Sequence, residues 1–223
     1  MTAVVSVPKE TAFALRNKVR FVTAASLFDG HDAAIQIMRR VLQQEGAEVI
    51  HLGHDRSVAE VVEAAVAEDA QGIAVSSYQG GHVEYFTYML ELLKERGASH
   101  IQVYGGGGGV IVADEIALLH KRGVARIFSP EDGRKMGLVG MIRALLSSCD
   151  HVPGPVLSRV PDAISADAHG TIARAITTLE LAHDDDASPE IRHSAMTGRA
   201  DLESKAKALP KRAPIIGFTG TGG

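Results

Sequence analysis

The sequence predicts an α/β protein with a doubly wound, flavodoxin-like five-stranded parallel sheet followed by a helical arm. Between Lys18 and Asp150, five short apolar runs alternate with longer amphipathic segments. Strands that are apolar on both faces are typical of a parallel sheet covered by helices on both sides. Right-handed crossovers then place a ligand site beyond the carboxyl ends of the strands.

The bounds of the elements follow from apolar spacing, caps and glycine exits. Strands are predicted at residues 19–25, 47–52, 72–76, 101–104 and 124–128. Helices are predicted at 32–45, 58–67, 83–96, 113–122 and 133–147, where apolar residues recur at helical spacing. Ser57 is placed to cap the second helix, and Gly123 to end the fourth.

The character of the chain changes after Asp150. His151–Pro161 contains three prolines and is typical of a linker, and amphipathic patterns predict further helices at 168–182 and 189–209. This stretch is short and polar, so we interpret it as an arm between domains. The predicted organisation is a flexible tail at 1–17, a ligand-binding domain at 18–150, a helical linker arm at 151–212 and the truncated start of another domain at 213–223.

Composition narrows the class of protein. The net charge is −4 with scattered basic residues, and aromatic residues make up 4% without any tryptophan, which argues against a nucleic-acid partner. No apolar run approaches the roughly 18 residues of a membrane span, so we expect a soluble protein without a membrane partner. The single cysteine, Cys149, excludes a disulfide framework and favours a cytoplasmic location.

Three unusual loops are predicted at one edge of the sheet. They are Ser26–Asp32 after the first strand, Ser76–His82 after the third and the five glycines Gly105–Gly109 after the fourth. The carboxyl ends of neighbouring parallel strands meet at the same edge, where a doubly wound fold binds its ligand. We therefore expect these loops to form one site.

The first loop combines a carboxylate and an imidazole. A histidine at such an edge can coordinate a transition metal through one ring nitrogen, while a nearby carboxylate accepts the proton of the other and fixes the tautomer. Asp29 and His31 have the spacing for this arrangement. The alternative is that Asp29 or Asp32 caps the following helix and His31 is a surface residue.

The other two loops contain serine hydroxyl groups and a run of glycines, which have no side chain. Ser76 and Ser77 could donate to a ligand, or the loop is a polar turn in which Gly80 and Gly81 supply positive φ. Five consecutive glycines lose conformational entropy on ordering, about 0.5–1 kcal/mol each relative to alanine. Such a segment suits backbone that passes close to a flat ligand; a flexible low-complexity loop is the alternative.

Together the loops resemble the cobalamin-binding signature D-x-H-x-x-G … S-x-L … G-G. It stands here as Asp29-Gly30-His31-Asp32-Ala33-Ala34, Ser76-Ser77-Tyr78 and Gly108-Gly109. Two positions depart from the signature, because Ala34 replaces a glycine and Tyr78 replaces a leucine. Neither change removes a metal ligand, but tyrosine alters the wall of the pocket for the nucleotide tail.

Longer segments make the resemblance more specific. FDGHDAA, HLGH, SSYQGGHVEYF, GGGGGVIVADEI, GVARIFSPEDG and IIGFTGTGG are similar to the fused isobutyryl-CoA mutases. That family joins a B12 domain, a G-protein chaperone domain and a substrate-binding mutase barrel in one polypeptide. The resemblance is strong over residues 18–150, only positional over 151–210, and at 213–223 it corresponds to the opening of the G domain.

The resemblance implies a role for each loop. His31 would be the lower axial ligand of cobalt in adenosylcobalamin, oriented by Asp29, and Ser76 would reach the base of the nucleotide tail. The implied cofactor-binding set is Asp29, Gly30, His31, Asp32, Ser76, Ser77, Tyr78, Gln79, Gly80, Gly107, Gly108, Gly109 and Val110. The full-length protein would interconvert isobutyryl-CoA and n-butyryl-CoA as a homodimer, whereas this fragment would not be catalytic.

The end of the sequence matches part of a phosphate-binding loop. Gly220, Thr221, Gly222 and Gly223 supply the first four positions of G-x-x-x-x-G-K-[ST], in which backbone amides cradle phosphates. A flexible glycine tail fits the four residues equally well. The resemblance implies a GTPase domain that binds GTP and Mg²⁺ in the full-length protein, and we expect this fragment not to bind nucleotide.

Other classes compete with this interpretation. A dinucleotide-binding enzyme would carry its glycines after the first strand, and a receiver domain needs an aspartate where Ser76 and Ser77 stand. A stand-alone B12 carrier or sensor would share the binding motif. A metal-dependent hydrolase would gather several side chains around one ion, although His51 and His54 are expected after the second strand, away from the site. The candidates for that ion are Asp29, His31, Asp32, His51, His54 and His82.

Overall fold

A computed structural model describes residues 13–31 and 33–209. The elements are β1 (Arg20–Ser26), α1 (Ala33–Gln44), β2 (Glu48–Arg56), α2 (Val58–Ala67), β3 (Gly72–Ser76), α3 (His82–Glu95), β4 (Gln102–Gly106), α4 (Ala113–Arg122), β5 (Arg126–Phe128), α5 (Pro130–Cys149), α6 (His169–Ala182) and α7 (Pro189–Ala208). Asp32, most of the predicted tail at 1–17 and the predicted phosphate loop Gly220–Gly223 lie outside the described residues.

The five strands form one parallel sheet in the order β2-β1-β3-β4-β5. This is the flavodoxin-like order, with its switch point between β1 and β3. The predicted fold class is therefore confirmed. The sheet also brings the carboxyl ends of β1, β3 and β4 side by side, because Ala25 pairs with Ser76 and Ser76 with Gly106.

Alternate residues of the strands point to opposite faces of the sheet and contribute to two separate hydrophobic cores. On one face, Val22 and Ile73 are fully buried with residues of α2, α3 and α4. On the other face, Phe21 and Tyr104 are buried with residues of α1 and α5. Because both faces are apolar, the strand sequences read as continuous apolar runs rather than as alternating ones.

Several predicted bounds are wrong by two residues or more, including the start of β5 and the end of α5. β2 continues to Arg56 instead of ending at residue 52, through a register irregularity opposite Ala24, so His51 and His54 lie within the strand. β4 includes the first two glycines of the run. α5 begins at Pro130 rather than 133, because Ser129 and Asp132 form a capping box with proline at the first helical position.

The described residues divide into two compact units, one containing residues up to 155 together with 167–173, and the other containing 156–166 and 174–209. In the second unit, the amide of Val160 donates to Asp201 Oδ2 at 2.8 Å, and Lys205 pairs with Asp201 at 3.0 Å. The two helices predicted beyond Asp150 are confirmed as α6 and α7. No helix of the described residues is long and apolar enough to cross a membrane.

Candidate functional site

The loop after β1 holds a carboxylate and an imidazole in contact. The Asp29 side chain is completely buried, whereas the His31 side chain is 66% exposed. Oδ1 of Asp29 accepts hydrogen bonds from the backbone amide of His31 at 2.9 Å and from its ring Nδ1 at 2.8 Å. The predicted pair therefore exists as a buried acceptor beneath an exposed ring.

Asp29 remains a carboxylate despite its burial. Burial raises the pKa of Asp29, but hydrogen bonds from the amides of Tyr78 and His31 and from the His31 ring together hold this pKa below its ordinary value. A carboxylate can only accept, so Nδ1 of a neutral His31 ring carries the proton. The lone pair then lies on Nε2, which is the nitrogen available to a metal.

The backbone of this loop is strained and braced from β2. Phe28 has φ 64°, which is unusual for an aromatic residue, and its side chain is 80% exposed. Its amide donates to Oδ1 of Asp55 at 2.7 Å, and the amide of Asp55 donates to the Asp29 carbonyl at 3.3 Å. Asp55 was not among the predicted site residues, because its contact depends on the unpredicted extension of β2.

The two serines after β3 have different environments. The hydroxyl of Ser77 accepts from the Ser26 hydroxyl at 2.9 Å, and its amide donates to the Gly106 carbonyl at 2.8 Å, so this residue joins three loops. The hydroxyl of Ser76 is buried and has no hydrogen-bond partner among residues 13–31 and 33–209. A buried hydroxyl without a partner is costly unless a ligand or water satisfies it.

Tyr78 links this loop to the first one. Its amide donates to Oδ2 of Asp29 at 2.6 Å. Its ring centroid lies 5.6 Å from that of the His31 ring, with 42° between the two planes. Both oxygens of Asp29 are thus engaged, one by His31 and the other by Tyr78.

The glycine segment owes part of its composition to contacts within the protein. A Cβ atom on Gly105 would lie 2.4 Å from Phe86 Cζ, and one on Gly107 would lie 2.0 Å from the Ser77 carbonyl oxygen. Gly108 has φ +58°, whereas a Cβ on Gly109 would meet nothing within 4 Å. Close passage of a ligand is therefore not needed to explain glycine at 105 and 107.

A cavity of about 200 Å³ opens beside these loops. Its wall is mostly apolar, and one of its lining residues is Ser76, whose buried hydroxyl has no partner among the described residues. A cavity of roughly 150 Å³ accepts benzene, so this one has room for an aromatic ring. The lining residues are Ala34, Ile35, Met38, Leu42, Ala74, Val75, Ser76, Tyr78, Tyr104, Gly105, Gly106, Gly107, Gly108, Phe128, Ser129, Pro130, Gly133, Met141, Ile142 and Leu145.

Part of this wall was not predicted from the sequence. Met141, Ile142 and Leu145 come from α5, and their apolar spacing indicated only a core-facing helix. Of the predicted contact residues, Gln79, Gly80, Gly109 and Val110 lie exposed at the same edge. Asp32 lies outside the described residues.

Two of the histidines proposed for a hydrolase site have partners elsewhere, whereas His54 is exposed. His51 lies within hydrogen-bond distance of Thr23 and Gln36, and His82 pairs with Glu115 at 2.9 Å. Within the described part of the chain, no group of three or more His, Cys, Asp or Glu side chains could hold a metal ion. The shared ion that a hydrolase requires therefore has no ligand cluster among these residues.

Comparison with known proteins assigns the fold and its loops to a family. Residues 19–137 match the B12 binding domain. The chain belongs to the B12-binding domain family. The match includes all three loops of the site.

Relatives of known name extend this match. Over 211 residues the chain is 58% identical to the fused isobutyryl-CoA mutase of Geobacillus kaustophilus (strain HTA426), covering 93% of this chain and 19% of that protein. It is 57% identical over 207 residues to the fused isobutyryl-CoA mutase of Cupriavidus metallidurans, covering 93% and 18%. The chain thus spans about a fifth of the length of these relatives, and the resemblance seen in the sequence is confirmed.

A shorter relative matches over nearly its whole length. The 2-hydroxyisobutanoyl-CoA mutase small subunit of Aquincola tertiaricarbonis is 32% identical over 130 residues, covering 58% of this chain and 93% of that protein. Nearly the whole of this separate small subunit is therefore related in sequence to part of this chain.

Proposed function

We propose that this chain binds adenosylcobalamin with His31 as the lower axial ligand of cobalt. The Asp29–His31 pair carries the proposal. Its buried carboxylate holds the proton at Nδ1 and leaves Nε2 at an exposed edge. A carboxylate that orients a metal-bound imidazole in this way also raises its basicity as a ligand.

The cavity supports the choice of cofactor. A histidine that replaces the cofactor's own benzimidazole leaves a flat, largely apolar base to be accommodated. The apolar cavity, which Ser76 and Tyr78 help to line, offers such a place, and the unpaired Ser76 hydroxyl could donate to a ring nitrogen. Apart from Tyr78, the remaining residues of the implied cofactor-binding set would surround the macrocycle and the tail.

The chain's own residues have three tasks in this proposal. Asp29 holds the His31 ring and its proton, Ser76 binds the displaced base, and the apolar wall excludes water from it. When bound, adenosylcobalamin supplies a cobalt–carbon bond whose homolysis starts radical chemistry on the substrate. We assign no residue of this chain to hydrogen abstraction.

We further propose that the chain is the cofactor domain of an acyl-CoA mutase that interconverts isobutyryl-CoA and n-butyryl-CoA. The names of the two most identical relatives cited above support this reaction, and a mutase small subunit of matching extent supports a mutase over a carrier or sensor. By the same likeness, the full-length protein would be a cytoplasmic homodimer with a GTPase chaperone domain that binds GTP and Mg²⁺.

The test is ligand replacement at position 31. Adenosylcobalamin added to the wild-type chain should give the absorption spectrum of nitrogen-ligated cobalt with its benzimidazole displaced. His31→Ala should give a base-off spectrum or weaker binding, since no other nitrogen replaces the ring. Asp29→Asn should keep the nitrogen-ligated spectrum but lower affinity by about 10–100-fold.

His54→Ala is the matched control, because His54 is an exposed histidine within β2. Its spectrum and affinity should equal those of the wild type. If His31→Ala behaves like His54→Ala, the axial-ligand assignment is wrong.

A further inference from the structure

The His31 ring is only partly fixed by Asp29. A single hydrogen bond from Nδ1 holds one edge of the ring, and the tilt of the ring can still vary through rotation about the Cα–Cβ and Cβ–Cγ bonds. Two-thirds of the side chain is exposed, so little other packing restrains it. A metal ligand needs a defined ring plane as well as a defined tautomer, because the lone pair of Nε2 lies in that plane.

The Tyr78 ring is the aromatic group in contact with this imidazole. The separation of 5.6 Å and the tilt of 42° lie within the roughly 4.5–7 Å range and the non-parallel geometry of aromatic pairs. The tyrosine ring also lies close to the glycine segment, where a Cβ on Gly108 would lie 3.0 Å from Tyr78 Cε1. The ring therefore neighbours both the imidazole and backbone that carries no side chain.

We propose that Tyr78 is a positioning residue that sets the plane of the His31 ring. This inference rests on the proposed function and adds a third group to the Asp29–His31 pair. Tyr78 acts through two separable parts. Its backbone amide holds Oδ2 of Asp29, and its side chain limits rotation of the ring that Oδ1 holds.

The alternative role for Tyr78 is to form part of the cavity wall. The residue also lines the cavity proposed for the displaced base, so its side chain could contact that base directly. The two roles differ in one respect. A positioning residue has no effect on binding when His31 is absent, whereas a wall residue acts whether or not the histidine is present.

The experiment is a double-mutant cycle with adenosylcobalamin as the probe. Tyr78→Ala removes the side chain, and it should weaken binding by about 10–100-fold in the wild-type background and leave affinity unchanged in the His31→Ala background. Tyr78→Phe keeps the ring and should stay within about twofold of wild type. Tyr88→Ala, at a half-exposed tyrosine on α3, is the matched control and should also stay within about twofold.

A spectroscopic readout separates positioning from stability. After reduction to cob(II)alamin, the electron paramagnetic resonance spectrum shows splitting from the axial nitrogen. Tyr78→Ala should broaden or lose this splitting, and Tyr78→Phe should retain it. If Tyr78→Ala does not unfold cooperatively, Tyr78→Ser replaces it, with the same expectations.

The outcomes are distinguishable. A wild-type chain without the nitrogen splitting overturns the proposed function. An intact wild-type spectrum together with an unchanged Tyr78→Ala spectrum overturns the inference alone. Equal losses of affinity in both backgrounds also overturn it, since Tyr78 would then contact the cofactor directly.

Discussion

The segment Leu27–His31 and the segment Gly105–Gly109 lie at the same edge of the sheet, but different interactions hold them. Hydrogen bonds fix the first segment, since Asp55 holds the Phe28 amide and Asp29 holds the His31 ring. Close contact with neighbouring atoms fixes the second, at positions where a side chain has no room. Hydrogen bonds can hold a strained backbone conformation. The close backbone packing of the glycine segment instead requires residues without a side chain.

The largest effect is expected where the glycine segment approaches backbone. In Gly107→Ala the new Cβ would lie 2.0 Å from the Ser77 carbonyl oxygen, which cannot move without disturbing the 2.8 Å bond from the Ser77 amide to Gly106. We expect the free energy of unfolding to fall by about 3 kcal/mol, the upper end of the usual cost of overpacking. Urea denaturation monitored by circular dichroism measures the change.

Gly109→Ala is the matched control two residues away. A Cβ there meets nothing within 4 Å, so stability should change by no more than about 0.5 kcal/mol. Similar losses in the two variants would show that the segment is held in some other way.

A smaller effect of opposite sign is expected in the hydrogen-bonded segment. Phe28 adopts φ 64° with its side chain 80% exposed, so little packing compensates for the conformation. A left-handed conformation costs roughly 1–2 kcal/mol for residues with a Cβ, whereas glycine avoids the cost but loses more entropy on folding. Phe28→Gly should therefore raise the free energy of unfolding by up to about 1 kcal/mol, as measured by urea denaturation.

Asp55→Ala should act in the opposite direction, because it removes the acceptor that holds the Phe28 amide at 2.7 Å. A loss of stability in Phe28→Gly comparable with that in Asp55→Ala would mean that the phenylalanine contributes packing and that the segment is not strained.

The smallest effect concerns a second carboxylate that holds backbone amides, away from the site. Asp150 accepts from the amides of Arg16 and Asn17 at 2.9–3.1 Å. Burial raises the pKa of Asp150, but these hydrogen bonds outweigh it and hold the pKa below its ordinary value. Its stabilisation is therefore fully present above the unfolded pKa and is lost as pH falls through the lower folded value.

The variant Asp150→Asn should make stability less dependent on pH below about 4, the pKa range of an unperturbed aspartate. Thermal unfolding between pH 5 and pH 2 measures this dependence, with Asp186→Asn as the exposed control. Parallel pH profiles for the wild type and Asp150→Asn would show that the carboxylate does not hold the amides through its charge.

The helix bounds that were predicted correctly depend on residues next to those bounds in the sequence. α2 and α4 were predicted with their observed bounds, because Ser57 caps one and Gly123 ends the other. The end of β2 was not predicted, because it continues through Gly53 and Asp55, which both have positive φ. In a sequence, glycine and aspartate at these positions indicate a turn. Only the pairing with β1 shows that the strand continues.

The contacts of the site divide in the same way, into those that are local in sequence and those that are not. The proximity of Asp29 and His31 could be predicted from two positions in one loop. The brace from Asp55, the contact of Tyr78 with the His31 ring and the α5 wall of the cavity could not, because each joins segments far apart in sequence. Glycine at 107 was predicted to serve a ligand, whereas the structure explains it by the Ser77 carbonyl.

Tyr78 holds Asp29 through its main-chain amide rather than through its side chain. A main-chain anchor is the same for every residue type except proline. Mutation can therefore explore nineteen amino acids at this position, including the present tyrosine, without deleting that anchor. A saturation library at position 78, screened for the nitrogen-ligated spectrum with adenosylcobalamin, would show which side chains can hold the His31 ring.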